Sequence, residues 1–337
     1  MGLLNWLFGR KGSPAVTGAT EPTSNGDSAQ ANELEFMEIS SHRFFGSCTR
    51  SGNGRFVLAW SDANEAGTEG GYRRSGHGRY FLMEGSRVLA HGKMARPNDG
   101  KVADDGTFIL NDWGFGHGLK GKFHAFRPNG ESACVQKFKA NLFNNGLSSD
   151  GRFAACHTCN SDDDKDSSVL TIFDLARGTE TARWRPASGW PNFYEFSKDG
   201  ATIGLGYPRL GVFRYTMAGE FLDRAAWEEA RLTKGEYGDV LMMSQDLIRG
   251  ADSKPAPELA ARIIGAIDRV LPGIRDKNWE ALALKLRGLC LEAQGTIAPA
   301  LDCYERALAL DPKIGVKRRV TQLRKICSGR TTGGRGS

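Results

Sequence analysis

The segment Leu147–Trp184, LSSDGRFAACHTCNSDDDKDSSVLTIFDLARGTETARW, decides how the chain reads. It opens on a polar Asp150-Gly151 turn and runs into Arg152 to Cys156. After a long acidic loop it rises again from Val169 to Leu175, breaks at Arg177-Gly178 and leaves as Thr179 to Trp184. Short β-branched and aromatic runs separated by Gly and Asp are the pattern of consecutive antiparallel strands.

The pattern returns in weaker form, so the chain reads as a repeat protein. Four copies align on their turns: Gly52-Asn53-Gly54, Asp104-Asp105-Gly106, Ser149-Asp150-Gly151 and Lys198-Asp199-Gly200, whose final glycines are 52, 45 and 49 residues apart. Each turn leads into a strand: Phe56 to Trp60, Thr107 to Asn111, Arg152 to Cys156 and Ala201 to Leu205. A further strand follows in Arg79 to Met83, Lys122 to Phe126, Val169 to Leu175 and Gly211 to Tyr215. The last is Arg87 to Gly92, Ser132 to Lys139, Thr179 to Trp184 and Glu220 to Asp223. Four strands per repeat is what a propeller blade requires.

The Ser148 to Arg152 turn, with Ile172-Phe173-Asp174-Leu175 and Gly178 downstream, resembles WD40-like or YVTN-like β-propeller repeats over residues 41–227. The resemblance implies a propeller-like all-β domain of about four four-stranded repeats, placed at 34–230. A four-bladed ring, an extra blade begun by Leu34 to Ile39, and a ring completed by a second chain all fit this pattern.

The β pattern stops at Asp223. Ala225 to Leu232, Tyr237 to Ile248 and Pro257 to Leu271 are apolar at helical spacing, with a breaker-rich joint over 250–257. Residues 281–314, ALALKLRGLCLEAQGTIAPALDCYERALALDPKI, then place Gly288, Ala300, Tyr304, Ala307 and Pro312 at the spacing of a tetratricopeptide (TPR) repeat. Small residues at 288, 300 and 307 let two helices approach, Tyr304 wedges between them and Pro312 ends the pair. The segment resembles that family, which implies an all-α TPR-like helical-hairpin domain over 235–327, with Tyr237 to Leu271 as a degenerate repeat and Lys313 to Ile326 as a basic cap. The family's groove-facing positions fall on Leu282, Lys285, Leu289 and Glu292, and the resemblance implies a peptide or protein partner there.

The chain of 337 residues has room for both domains, and its glycines are spread through 46–219 as turns demand. Seven widely spaced cysteines without a secretion signal point to a reducing, cytoplasmic setting. Residues 1–11 place Leu3, Leu4, Trp6, Leu7 and Phe8 on a short amphipathic segment suited to peripheral membrane contact. Residues 12–33 read as a flexible linker and 328–337 as a disordered tail. The +6 net charge sits in the last stretch, from Lys313 to Arg335, which holds no acid. No aromatic platform is interleaved there, so nucleic acid is not the expected partner.

No catalytic residue, metal ligand, cofactor or small-molecule substrate is expected. A second alternative is a nucleic-acid- or membrane-associated factor using the basic C-terminus; the first competing reading is a metal-dependent enzyme at the propeller mouth. Its candidates are Cys156-His157-Thr158-Cys159 and the two Gly-His-Gly loops at His77 and His117, with His91 and His124 nearby. On a strand Cys156 and His157 face opposite sides. The alternating Asp162, Asp164 and Asp166 lack the glycine and terminal Glu of a calcium loop, and read as a solvated hairpin connection. The leading expectation is a non-catalytic interaction or scaffold subunit.

Overall fold

The computed structural model describes residues 35–331. The expectations for 1–11 and 12–33 lie outside these residues, as does most of the tail. The first sheet is a five-stranded meander of β1 (Glu35–Ile39), β2 (Phe44–Arg50), β3 (Phe56–Ser61), β4 (Gly78–Glu84) and β5 (Arg87–Met94). The second holds β6 (Pro97–Val102), β7 (Phe108–Asp112), β8 (Gly121–Phe126) and β9 (Ser132–Phe138); the third holds β10 (Leu142–Leu147), β11 (Phe153–Thr158), β12 (Leu170–Asp174) and β13 (Thr179–Trp184). The fourth holds β14 (Phe193–Phe196), β15 (Thr202–Tyr207) and β16 (Gly211–Thr216). Every neighbouring pair is antiparallel and in chain order.

Two expected strands are placed differently. Glu35–Ile39 begins no new blade; it pairs with β2 and widens the first sheet. Glu220 to Asp223 is reduced to one bridge, Tyr215 to Phe221. The Asp223 carboxylate accepts from the Arg214 backbone N–H and guanidinium, all at 2.9 Å, and the chain turns into a helix at Arg224.

The repeat turns share one hydrogen-bond device. Ser148 Oγ donates to Asp150 Oδ1 at 2.6 Å and accepts from the Phe153 N–H at 2.8 Å. Ser51 repeats this with Asn53 and Phe56, and Ser197 with Asp199 and Thr202. The second sheet has Ala103 in place of the serine, and there Asp105 accepts from Thr107 directly. Successive turns also touch: the Asn53 N–H donates to Asp104 at 2.7 Å, and the Asp104 N–H to the Ser149 carbonyl at 2.8 Å. The first strand of each repeat therefore lies beside the first strand of the next.

Alternation along each strand produces two apolar faces, and successive sheets share them. Leu58, Trp60, Tyr80 and Leu82 meet Phe108, Leu110 and Phe126. Ile109, Phe123 and Ala125 meet Ala154, Cys156 and Phe173. The other face of the third sheet, Ala155, Leu170 and Ile172, joins Ile203, Leu205, Phe213 and Tyr215 of the fourth. Among the described residues no core cluster joins the first sheet to the fourth, so the array is not closed through a shared core.

Among the described residues six α-helices follow: α1 (Arg224–Thr233), α2 (Tyr237–Gly250), α3 (Pro257–Val270), α4 (Lys277–Ala293), α5 (Ile297–Leu310) and α6 (Lys317–Thr331). Pro257 starts α3, and the Asp276 carboxylate caps α4 by accepting from the Asn278 and Trp279 N–H groups. A Cβ on Gly288 would lie 2.6 Å from the buried Tyr304 ring, which is the close approach its spacing predicts. Helix α6 runs to Thr331, past the boundary expected at Cys327. Trp227, Val240, Leu241, Ile263, Ile267 and Leu286 belong to the same core cluster as the third and fourth sheets.

Gly54 and Gly151 occupy matching turns at φ +70° and +73°, but only Gly151 is crowded, since its Cβ would lie 2.5 Å from Asp105. Gly54→Ala is expected to cost about 1 kcal/mol, from left-handed backbone strain alone. Gly151→Ala is expected to cost about 2–3 kcal/mol, because a carboxylate must also be displaced. Urea unfolding of both variants measures the difference.

Candidate functional site

The loops at 62–77 and 113–120 come from adjacent sheets and meet over their outer strands. Arg73 holds the first from inside: it is buried, donates to the Gly71, Gly76 and Ala95 carbonyls, and pairs with Asp62 at 3.5 Å. The second follows β7, where Asp112 Oδ1 accepts from the Arg96 and Gly114 N–H groups at 2.8 and 2.9 Å. Gly114, Gly116 and Gly118 all have positive φ, which lets this loop fold back tightly. The two loops are joined by the Gly116 N–H to the Arg73 carbonyl and by Arg73 lying over the Phe115 ring.

His77 and His117 are therefore brought to one place, but not to one ligand. His77 packs edge-on against Phe115 at 5.1 Å, and His117 lies tilted against Tyr72 at 5.2 Å. His91 lies on the far face of the first sheet, beside Phe81 and His42. Among the described residues no group of three His, Cys, Asp or Glu side chains is placed to hold a metal ion.

Beneath the loops is a cleft of about 590 Å³. Lys93, Lys120, Lys122 and Lys137 line it together with His77, Phe115, His124 and one carboxylate, Asp112. Pairing explains the grouping. Asp112 sits opposite Lys122, and Lys122 opposite Lys137, so the three occupy adjoining positions on one face of the second sheet. His124, two residues along β8, shares that face. Its Nε2 is buried without a hydrogen-bond partner, and burial lowers the imidazole's pKa against the pull of Asp112. Lys93 is paired with Glu65 at 2.7 Å. Among the described residues Lys120, Lys122 and Lys137 have no ion pair.

The cysteine motif behaves as strand core. Cys156 faces the second sheet, 4.0 Å from Asn111 Oδ1, and burial holds its thiol well above the ordinary value. Burial also raises Cys159. His157 lies fully buried on the other side of the strand, and burial brings it down to about 4. Asp166 in the acidic loop accepts from the Lys139 N–H and pairs with Arg183, both at 2.7 Å.

The four positions on α4 are occupied from within the chain. Lys285 Nζ donates to the Ile314 carbonyl at 3.0 Å, and Glu292 accepts from the Tyr304 hydroxyl at 2.9 Å and pairs with Arg319 of α6. Leu282 and Leu289 pack against the main core. No residue from Ala281 to Glu292 is exposed. The spacing identified two closely packed helices; it carried no information on what α3 and α6 cover.

The lysine cleft was not anticipated. Its signal in the sequence is Lys120-Gly-Lys122-Phe-His124, where alternation puts Lys122 and His124 on one face. Lys137 joins them only through the register of β8 with β9.

No family model and no curated protein matches this chain. Among solved structures it is similar to the C-terminal WD40 domain of Sif2, with a TM-score of 0.33 and 11% identity, covering 48% of this chain and 42% of that one. The chain thus spans less than half of that neighbour's length. The four-sheet organisation stands on the chain's own registers and cores.

His157 gives the fold a pH dependence. An imidazole in the unfolded chain takes its proton near pH 6.5, whereas the buried ring takes it near 4. Between these values the unfolded chain binds the proton and the fold does not. Stability present above pH 6.5 is therefore expected to fall by about 3 kcal/mol as the pH drops to 4. Urea unfolding at several pH values checks this, and His157→Leu is expected to flatten that part of the profile.

Proposed function

We propose that this chain is a non-catalytic interaction protein, with a partner-binding surface on the sheet array and with its helices acting as a fixed cap. The observation that carries this reading is the joined loop pair over the first and second sheets. It presents Tyr72, Trp113 and Leu119, which are 56%, 37% and 46% exposed, on a base held by buried Arg73. Exposed apolar groups on a rigid base, rimmed by charge, are what a protein-binding patch needs.

The helices support the cap role. The middle of α4, Ala281 to Glu292, is buried or half-buried, and two cations of α6, Arg319 and Arg324, are neutralised by Glu292 and Glu305. A core shared with the third and fourth sheets takes in α1 to α4, and a second core joins α4 to α5 and α6. The partner is thus a protein met by the loops rather than a peptide in the α4 groove.

Affinity purification with mass spectrometry tests this, comparing wild type with Tyr72→Ser plus Leu119→Ser after circular dichroism has shown equal folding. One or a few proteins held by wild type and reduced at least tenfold in the variant are expected. Specific proteins retained equally by both would remove the loops from the reading, and no specific protein with either would remove the reading itself.

A further inference from the structure

The lysine cleft beneath the loops holds more positive charge than the fold uses. Lys122 and Lys137 stand directly opposite each other across β8 and β9, a placement that is unfavourable for two like charges. The cleft's one carboxylate, Asp112, already accepts two backbone N–H groups. His124 adds a buried nitrogen without a partner, on the same face of the sheet. Unpaired cations around a buried unsatisfied nitrogen, in a cavity within the roughly 300–1,000 Å³ range of ligand sites, suit a ligand that brings oxyanions.

The surrounding rings narrow the choice. Base recognition by single-stranded nucleic acid needs open aromatic faces. Here the ring that lines the cleft, Phe115, is covered by Arg73 and abutted by His77. Lysines, as compact and flexible point charges, pair with the oxygens of side-chain carboxylates or of a phosphate group one contact at a time.

We propose that the cleft binds an acidic peptide segment of a protein partner, with its side-chain oxyanions seated between Lys122 and Lys137. His124 lines the same cavity, with its Nε2 buried and without a hydrogen-bond partner on the two lysines' face of the sheet. This deepens the interaction reading and rests on it for the identity of the partner as a protein.

The test uses the full chain and fluorescence anisotropy with three labelled octapeptides: one rich in Glu, one of the same length with phosphoserine, and one with Gln in place of Glu. The acidic or the phosphorylated peptide is expected to bind and the Gln peptide not to, and the stronger of the two names the source of the oxyanion. Lys122→Gln plus Lys137→Gln is expected to weaken binding at least tenfold. Lys317→Gln plus Lys325→Gln, on α6, is expected to leave it within twofold. The cleft variant is also expected to unfold at the same or a higher urea concentration than wild type, because a like-charge pair has been removed. Equal binding by wild type and the cleft variant, a larger loss in the α6 variant, or no binding of either anionic peptide would overturn the proposal. Each of those results would leave intact a partner captured through Tyr72 and Leu119. Failure to capture any partner would end the wider reading whatever the peptides do.

Discussion

Four aromatic rings in contact hold the two halves of this molecule to each other. Trp184 of the third sheet stacks on Tyr215 of the fourth at 4.8 Å, Tyr215 on Phe221 at 4.2 Å, and Phe221 meets Trp227 of α1 edge-on at 5.9 Å. Arg231 closes the row over the Trp227 ring. Each ring pair contributes about 0.5–1.5 kcal/mol beyond the area it buries, and the row runs from sheet to sheet to helix without a break. Gly219 is needed for it, because a Cβ there would lie 2.5 Å from Trp184. The fourth sheet, only three strands wide, is completed by this row and by the helices behind it.

The loop pair at the other end depends on a different device. Buried Arg73 satisfies three carbonyls at once, and Asp62 pairs with both Arg73 and Arg96. A guanidinium inside a loop stays charged, so its hydrogen bonds are strong and its removal would strand several acceptors. Polar anchoring lets the loops carry exposed rings without a core of their own. It also keeps the cleft beneath them open at the outer strands of the second sheet.

In the helical region close packing of two helices and an open surface are separate matters. Gly288, Ala300, Tyr304 and Ala307 meet as their spacing requires, with all four buried. The same close packing draws α3 onto α4 through Arg287 and Asp268, at 2.7 Å, and draws α6 on through Glu292 and Arg319. These ion pairs flank α4 on either side and leave Leu282, Lys285, Leu289 and Glu292 half-buried.

What the sequence determined by itself was local and periodic. Turn chemistry at Asn53, Asp105, Asp150 and Asp199 set the four repeats, alternation set the strands, and helical spacing set the helices after Asp223. These follow from hydrogen bonds and steric limits within a few residues of one another. Tertiary structure decided everything that depends on register and neighbours. It sent Glu35–Ile39 to the edge of the first sheet, turned His77 and His117 onto aromatic rings instead of each other, and set Lys137 opposite Lys122. A side chain's partners across a sheet or between loops are fixed by which strands pair and how the chain closes, and residues so far apart in sequence carry no local signal of that meeting.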